Sequence, residues 1–259
     1  MEYQGFKGTI EELVRQNMEE IERQEGVAVL FAVESGSRAW GFASPDSDYD
    51  VRFVYVRPRA DYLKLEQKKD FMDWKLDEVL DINGWDLRKA LRQVHKSNAA
   101  IFEWLHSPIV YWETGGWEKV RQAAGAYFSC KAAMCHYYGA AKNAYMGGLA
   151  GQRVCYKKYL YALRPLLACQ WIEEEACPPP VLFAELADAV LGREMRQAVD
   201  GLLRAKAQMA EAEAGQRIGR LDAYLAEKLE EFKVKSAELA DDRRKGWQAL
   251  DEVFGMLLC

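Results

Sequence analysis

Few features of this sequence suit a secreted, membrane-spanning or zinc-built protein. Its six cysteines form no C-x-x-C pair and have no histidine beside them at zinc spacing. Neither a disulfide framework nor a structural zinc site is indicated. Only three histidines are present, His95, His106 and His136; each is isolated and reads as a helix-surface or core residue. No stretch reaches the roughly 18 consecutive apolar residues that a bilayer span requires. The start, MEYQGFKGTIEEL, lacks a basic region followed by an apolar run, so the chain is expected to be cytoplasmic, with no membrane partner. Positive charge is not in excess either: the net charge is -5. That argues against a surface coated in cations for duplex binding but allows a local basic groove.

What is present is enough apolar material for a large core, since half of the 259 residues are hydrophobic. Thr9 and Glu12 form a capping-box pattern before Ile10, Leu13, Val14 and Ile21, which recur at helical spacing, and Gly26 closes that helix. VAVLFAVE (27–34) reads as a buried strand. A turn-rich passage, SGSRAWGFASPDSD, leads to a second strand, YDVRFVYVRP, closed by Pro58. LDEVLDIN (76–83) suggests a third strand, with Asn83 capping a helix through Leu87, Ala90, Leu91 and Val94. A further helix is expected from Ile101 to Leu105, before Pro108. Beyond Trp117 strand-like alternation disappears, and a helical bundle is expected. The fold class is accordingly α+β: a mixed α/β domain over residues 1–115 and an all-helical domain over 116–259.

The chemistry concentrates between the first two strands. Gly36-Ser37 is followed, after ten residues, by Asp48-Tyr49-Asp50 opening the next strand. Strand alternation sets Asp48, Asp50 and Arg52 on one face and Tyr49, Val51 and Phe53 on the other. Two carboxylates about 4 Å apart repel by roughly 4 kcal/mol at an effective dielectric near 20, and a divalent cation between them removes that cost. Magnesium, with manganese as the alternative, prefers such hard oxygen ligands and bridges them to substrate phosphates. Gly36 lets backbone approach a triphosphate, and Ser37 opens a short helix whose amides favour an anion. Arg38 and Arg52 are candidates for phosphate contact or for balancing the acids.

These residues resemble a known family. The pattern h-G-S, about ten residues, D-x-D-h looks like the signature of the polymerase-β nucleotidyltransferase superfamily. The text ESGSRAWGFASPDSDYDVRFVYV, continued in DINGWDLRKAL, KSNAAIFEWLHSPIVY and KKYLYALRPLLA, is similar to the bacterial predicted nucleotidyltransferases called RNA-ligase-associated proteins. The resemblance implies a two-metal transfer of a nucleoside monophosphate from an NTP, ATP included, to a hydroxyl, with an RNA end as leading acceptor in repair or processing. It also implies a third catalytic and metal-binding carboxylate beside Asp48 and Asp50. Asp81 is the first choice, with Asp77 and Asp86 as alternatives.

In the helical half Arg153, Lys157, Tyr161 and Arg164 fall at helical spacing and are candidates for binding the acceptor through cations around a stacking tyrosine. A solvated basic face is the competing account. Two other functions fit the composition: nucleotidylation of a protein or small-molecule hydroxyl, and a non-catalytic nucleotide sensor. The intact Gly36, Ser37, Asp48 and Asp50 speak against the second.

Overall fold

The computed structural model describes residues 2–44, 47–77, 79–149, 151, 153–207 and 214–258. A hairpin of β1 (Glu2–Tyr3) and β2 (Phe6–Lys7) precedes α1 (Ile10–Glu25) and β3 (Ala28–Glu34). Then come α2 (Gly36–Ala39), β4 (Tyr49–Val56), α3 (Arg59–Tyr62), β5 (Phe71–Leu76), β6 (Leu80–Asp86), α4 (Leu87–His95), α5 (Ala99–Leu105) and β7 (Val110–Glu113). The remainder comprises α6 (Trp117–Gly125), α7 (Cys130–Gly148), β8 (Arg153–Cys155), α8 (Tyr156–Glu175), α9 (Phe183–Val190), α10 (Arg193–Ala207), β9 (Ala214–Gln216), α11 (Gly219–Glu238) and α12 (Gln248–Leu257). None of these helices is long and apolar enough to cross a membrane among the described residues.

Helix α1 forms as its ends dictate. Thr9 accepts from the Glu12 amide while the Glu12 side chain accepts from Thr9, and Gly26 closes the helix in the left-handed conformation. Its buried face, Leu13, Val14, Met18 and Ile21, covers one side of a five-stranded mixed sheet of order β5-β6-β4-β3-β7. On that side Val51, Phe53, Tyr55, Leu80 and Ile82 complete the core. The opposite side is covered by α4, α5, α6 and α12, with Trp117 stacked on Phe31 at 4.7 Å. That second core draws on residues on both sides of position 115, through Leu250 and Val253 of the last helix. A third core lies within the helical half, centred on α7, α8, α9 and α11.

Three local expectations need correcting. Asn83 does not cap a helix: it sits in mid-β6, opposite Arg52, and Asp86 is the cap, accepting from the Arg88 amide at 2.8 Å. Both residue types cap well; the parallel pairing of β4 with β6, from Tyr49↔Leu80 to Tyr55↔Asp86, carries the strand three residues further. Asp77 does not share that strand. It lies in the turn after β5, where its Oδ1 accepts from the Val79 and Leu80 amides. Arg153 is not on a helix: it belongs to β8, paired with Gln216 in a two-stranded ribbon that interrupts the otherwise helical half. The β-branched Val154 buried at the ribbon's centre accounts for this.

Candidate active site

The site is assembled at the N-terminal ends of β4 and β6. Parallel register places Asp50 directly opposite Asp81, and both project to the sheet face that carries α4 and α5. Arg52, two residues along from Asp50 on the same face, reaches back between them. Its Nη2 donates to Asp50 Oδ1 at 3.0 Å and to Asp81 Oδ2 at 2.7 Å, while Nη1 donates to the Asp81 carbonyl at 3.1 Å. The three side chains keep about a fifth of their surface in contact with solvent, between 19% and 24%. Burial pushes the Asp50 carboxyl above the ordinary carboxylate range; Arg52 opposes that rise, and the charges of Asp48 and Asp81 add to it.

The turn from β3 to α2 closes over Asp50. The Ser35 amide donates to the Asp50 carbonyl at 2.8 Å. Gly36 then adopts φ +61°, and a Cβ there would lie 2.1 Å from Asp50 Oδ2. Glycine takes this left-handed conformation without strain and leaves the carboxylate in place, whereas a side chain here would push Asp50 aside. Ser37 is buried immediately after it. Arg38 turns the other way: its Nε donates to the Asp48 carbonyl at 2.9 Å, Nη2 donates to the Ser47 carbonyl, and its guanidinium lies 3.8 Å from the Tyr49 ring centre. In this conformation Arg38 ties the loop that delivers Asp48 rather than facing the Asp50–Asp81 pair.

Two of the candidates for the third carboxylate are committed elsewhere. Asp86 caps α4 and accepts from the Tyr62 hydroxyl at 3.0 Å, and Asp77 holds its turn and the Tyr3 hydroxyl. Asp81 is the one that converges on Asp50.

Sequence inspection missed a carboxylate beneath this pair. Glu34, the last residue of β3, is 1% exposed. Its Oε1 accepts from the Asp50 amide at 2.8 Å and its Oε2 accepts from the Tyr111 hydroxyl at 2.6 Å. Burial raises its pKa to about 7 against the lowering pull of those two hydrogen bonds. An acid ending an otherwise apolar strand, VAVLFAVE, was the available signal.

The four helical-half candidates do not form one face. Arg164 is 2% exposed; its Nη1 donates to Glu103 Oε1 at 2.9 Å and its guanidinium lies 4.4 Å from the Trp40 ring centre. Tyr161 meets Trp40 edge-on at 5.4 Å and Phe42 at 6.2 Å. These contacts bind α8 to the residues that follow the Gly36-Ser37 turn. Lys157 lies 5.3 Å from the Tyr161 ring centre, and Arg153 stands apart on β8.

The donor chemistry fits a divalent cation: aspartate oxygens from two adjacent strands converge on a single cationic nitrogen, with Asp48 nearby. Among the described residues no three His, Cys, Asp or Glu groups are already arranged as a cage.

This chain belongs to the family described as the RNA repair pathway DNA polymerase beta family, RlaP, which matches residues 10–255. Sheet, site and family together support a polymerase-β-like nucleotidyltransferase of an RNA repair pathway. The chain is 39% identical over 229 residues, 88% of each protein, to the "Uncharacterized protein YcgL" of Bacillus subtilis (strain 168). A nucleotidyltransferase-like protein from Exiguobacterium sibiricum 255-15 aligns over 96% of this chain and 80% of its own at 14% identity, with a TM-score of 0.32.

Proposed function

We propose that the protein transfers a nucleoside monophosphate from an NTP to a hydroxyl at an RNA end, in the cytoplasm, releasing pyrophosphate. The observation that carries this is the convergence of Asp50 and Asp81 on Arg52 Nη2 beneath a Gly36 turn where a Cβ would displace the Asp50 carboxylate. In the reaction the acceptor oxygen forms a bond to the α-phosphorus, the bond from that phosphorus to the bridging oxygen of the β-phosphate breaks, and the acceptor proton passes to the Asp81 carboxylate. Asp48, Asp50 and Asp81 would hold magnesium or manganese, which when bound neutralises the phosphates and lowers the pKa of the attacking hydroxyl. Arg52 holds the two aspartates together in the absence of substrate, and on loading its guanidinium moves to the triphosphate, keeping charge balanced. Gly36 and Ser37 present backbone amides to the same phosphates. Glu34 and Tyr111 fix the backbone on which Asp50 stands. Of the helical residues, Lys157 is kept as an acceptor contact, whereas Arg164 serves the seam between the halves.

The test is pyrophosphate release from each of the four NTPs, with and without RNA, at varied magnesium. RNA-stimulated release is expected, and Asp50→Asn should reduce it at least about a thousandfold, roughly 4 kcal/mol of transition-state stabilisation. Asp81→Asn should abolish transfer while nucleotide binding persists; near-normal transfer in that variant would remove its assigned role. Stimulation by a protein fraction or by an aminoglycoside in place of RNA would move the acceptor to another class.

A further inference from the structure

Away from the carboxylates, the molecule carries a concentration of positive charge that the transfer chemistry does not use. Helix α4 and the residue after it read LRKALRQVHK, ten residues without an acid in a chain that holds 40 acids against 35 bases. Leu87, Ala90, Leu91 and Val94 are buried against the sheet, so Arg88, Lys89, Arg92, His95 and Lys96 make up the outward face.

That face lines three hollows. The first, about 430 Å³, lies between Lys69 of the α3–β5 connection and Arg88, Lys89 and Arg92. The second, about 290 Å³, shares Arg88 and Arg92 and is walled by Trp247 and Phe254, with Asp251 as its one acid. The third, about 230 Å³, is lined by His95, Lys96, Arg243, Arg244 and Lys245, with Asp241 engaged by Arg243 Nε and Nη2 at 2.8 and 2.9 Å. The aspartates of the first hollow are already engaged. Asp61 pairs with Lys64 and Lys68, Asp86 caps α4, and Asp70 lies 3.6 Å from Lys89. Aromatic planes alternate with the cations: Trp247 is 43% exposed and stacks on His95 at 3.5 Å, and Phe71 is 38% exposed beside Lys89.

We infer that this groove binds the phosphate backbone of a single RNA strand, with Trp247 and Phe71 as stacking platforms. Cations spaced along a groove and interleaved with half-exposed rings match what a single strand offers, charge at every residue and a flat face on every base. The inference rests on the reading of RNA as acceptor and deepens it by separating two places on the protein. The groove begins at the C-terminal ends of β4 and β6, and the carboxylates stand at their N-terminal ends. From Asp50 to Arg57 the strand runs seven residues, or roughly 23 Å at about 3.3 Å each. A stacked strand at about 3.4 Å per nucleotide needs about seven nucleotides to reach from one to the other. Acceptors shorter than that engage one place only.

The experiment measures fluorescence anisotropy of single-stranded RNAs of increasing length on the full chain in EDTA, over a series of salt concentrations. Wild-type affinity in EDTA should rise with length through the groove alone, and with magnesium and a non-hydrolysable NTP it should gain a step near seven nucleotides. Lys89→Ala/Arg92→Ala/Lys96→Ala should bind a 20-nucleotide RNA at least about tenfold more weakly, with a salt slope smaller by about 2. The charge-keeping Lys89→Arg/Arg92→Lys/Lys96→Arg should bind as the wild type does. Asp50→Asn should bind RNA normally while failing to transfer, and the triple alanine variant should still transfer to a dinucleotide. Unchanged affinity and slope in the triple alanine variant overturn the groove while leaving the transferase reading intact. Pyrophosphate release that Asp50→Asn abolishes but that no RNA stimulates in the wild type counts against RNA as acceptor. Tight binding of polyglutamate that RNA cannot displace overturns the RNA assignment in favour of an acidic protein.

Discussion

Two arginine–carboxylate clusters stand within this protein, and they are built on opposite principles. At the seam between the halves, Glu103 accepts from Arg164 Nη1 at 2.9 Å, from the Tyr137 hydroxyl at 3.0 Å and from Trp40 Nε1 at 3.1 Å. One acid meets one cation, and neutral donors fill its remaining capacity. At the sheet end a single guanidinium serves Asp50 and Asp81, with the charge of Asp48 close by. Negative charge is in surplus there, and the cluster stays open to water. A closed, balanced pair holds elements together; an open pair with uncancelled acid is prepared for something positive that is not part of the chain. The arginines look alike in sequence, and only their surroundings assign Arg164 to structure and Arg52 to the site.

The sharpest way to break this comparison is to remove each arginine in turn. Arg164→Ala takes the buried cation from Glu103, whose side chain is 15% exposed, together with its packing on Trp40, and should cost about 3 kcal/mol in urea unfolding. Arg52→Ala removes a partly exposed partner and should cost about 1 kcal/mol or less. Equal losses would show that the site cluster also serves stability. Glu103→Gln combined with Arg164→Met should recover much of the loss, because a buried pair replaced as a unit leaves no uncompensated charge.

Glu34 sharpens the contrast from the other side, as a buried acid with no cation hydrogen-bonded to it. Its folded pKa is about 7 against an ordinary value of 4.5, with burial as the main cause. The folded state therefore holds a proton that the unfolded chain releases between those two values. The associated stability is fully present below about pH 4.5 and is lost as pH rises towards about 7, a span of roughly 3 kcal/mol. Urea unfolding without divalent cations should show that decline in the wild type. Glu34→Gln, whose amide can still accept from the Asp50 backbone and donate to Tyr111, should flatten it. Identical pH profiles for the two proteins would remove Glu34 from the account.

How much of this was legible in the sequence varies with the range of the interaction. Helix α1 was readable at both ends because Thr9, Glu12 and Gly26 act on their own neighbours. The Gly36-Ser37 to Asp48-x-Asp50 order was readable because it lies along one chain segment between two apolar strands. The end of β6 was not, since Asn83 and Asp86 are both good caps, and pairing with β4, some thirty residues earlier, decides between them. The same pairing aligns Asp50 with Asp81 and so brings that aspartate, rather than Asp77, to the site. Arg164 was misread because helical spacing to Lys157 shows a shared direction without showing that Trp40 and Glu103 cover it. The role of Glu34 depends on Tyr111, 77 residues away, and no local pattern encodes that contact.

The last prediction compares two glycines of nearly identical backbone. Gly26 and Gly36 have φ of +62° and +61°, so alanine at either should cost about 1 kcal/mol or somewhat more for the left-handed conformation alone. Their surroundings differ. A Cβ on Gly26 meets nothing within 4 Å, whereas one on Gly36 would lie 2.1 Å from Asp50 Oδ2. Gly26→Ala should therefore lower the thermal midpoint and leave transfer untouched. Gly36→Ala should show a similar loss of stability but also displace the Asp50 carboxylate by the order of 1 Å, which can cost about 100-fold in kcat. Steady-state kinetics on the pair separate strain from position: equal kcat in the two variants would mean that the carboxylate's placement under the turn is not what the chemistry depends on.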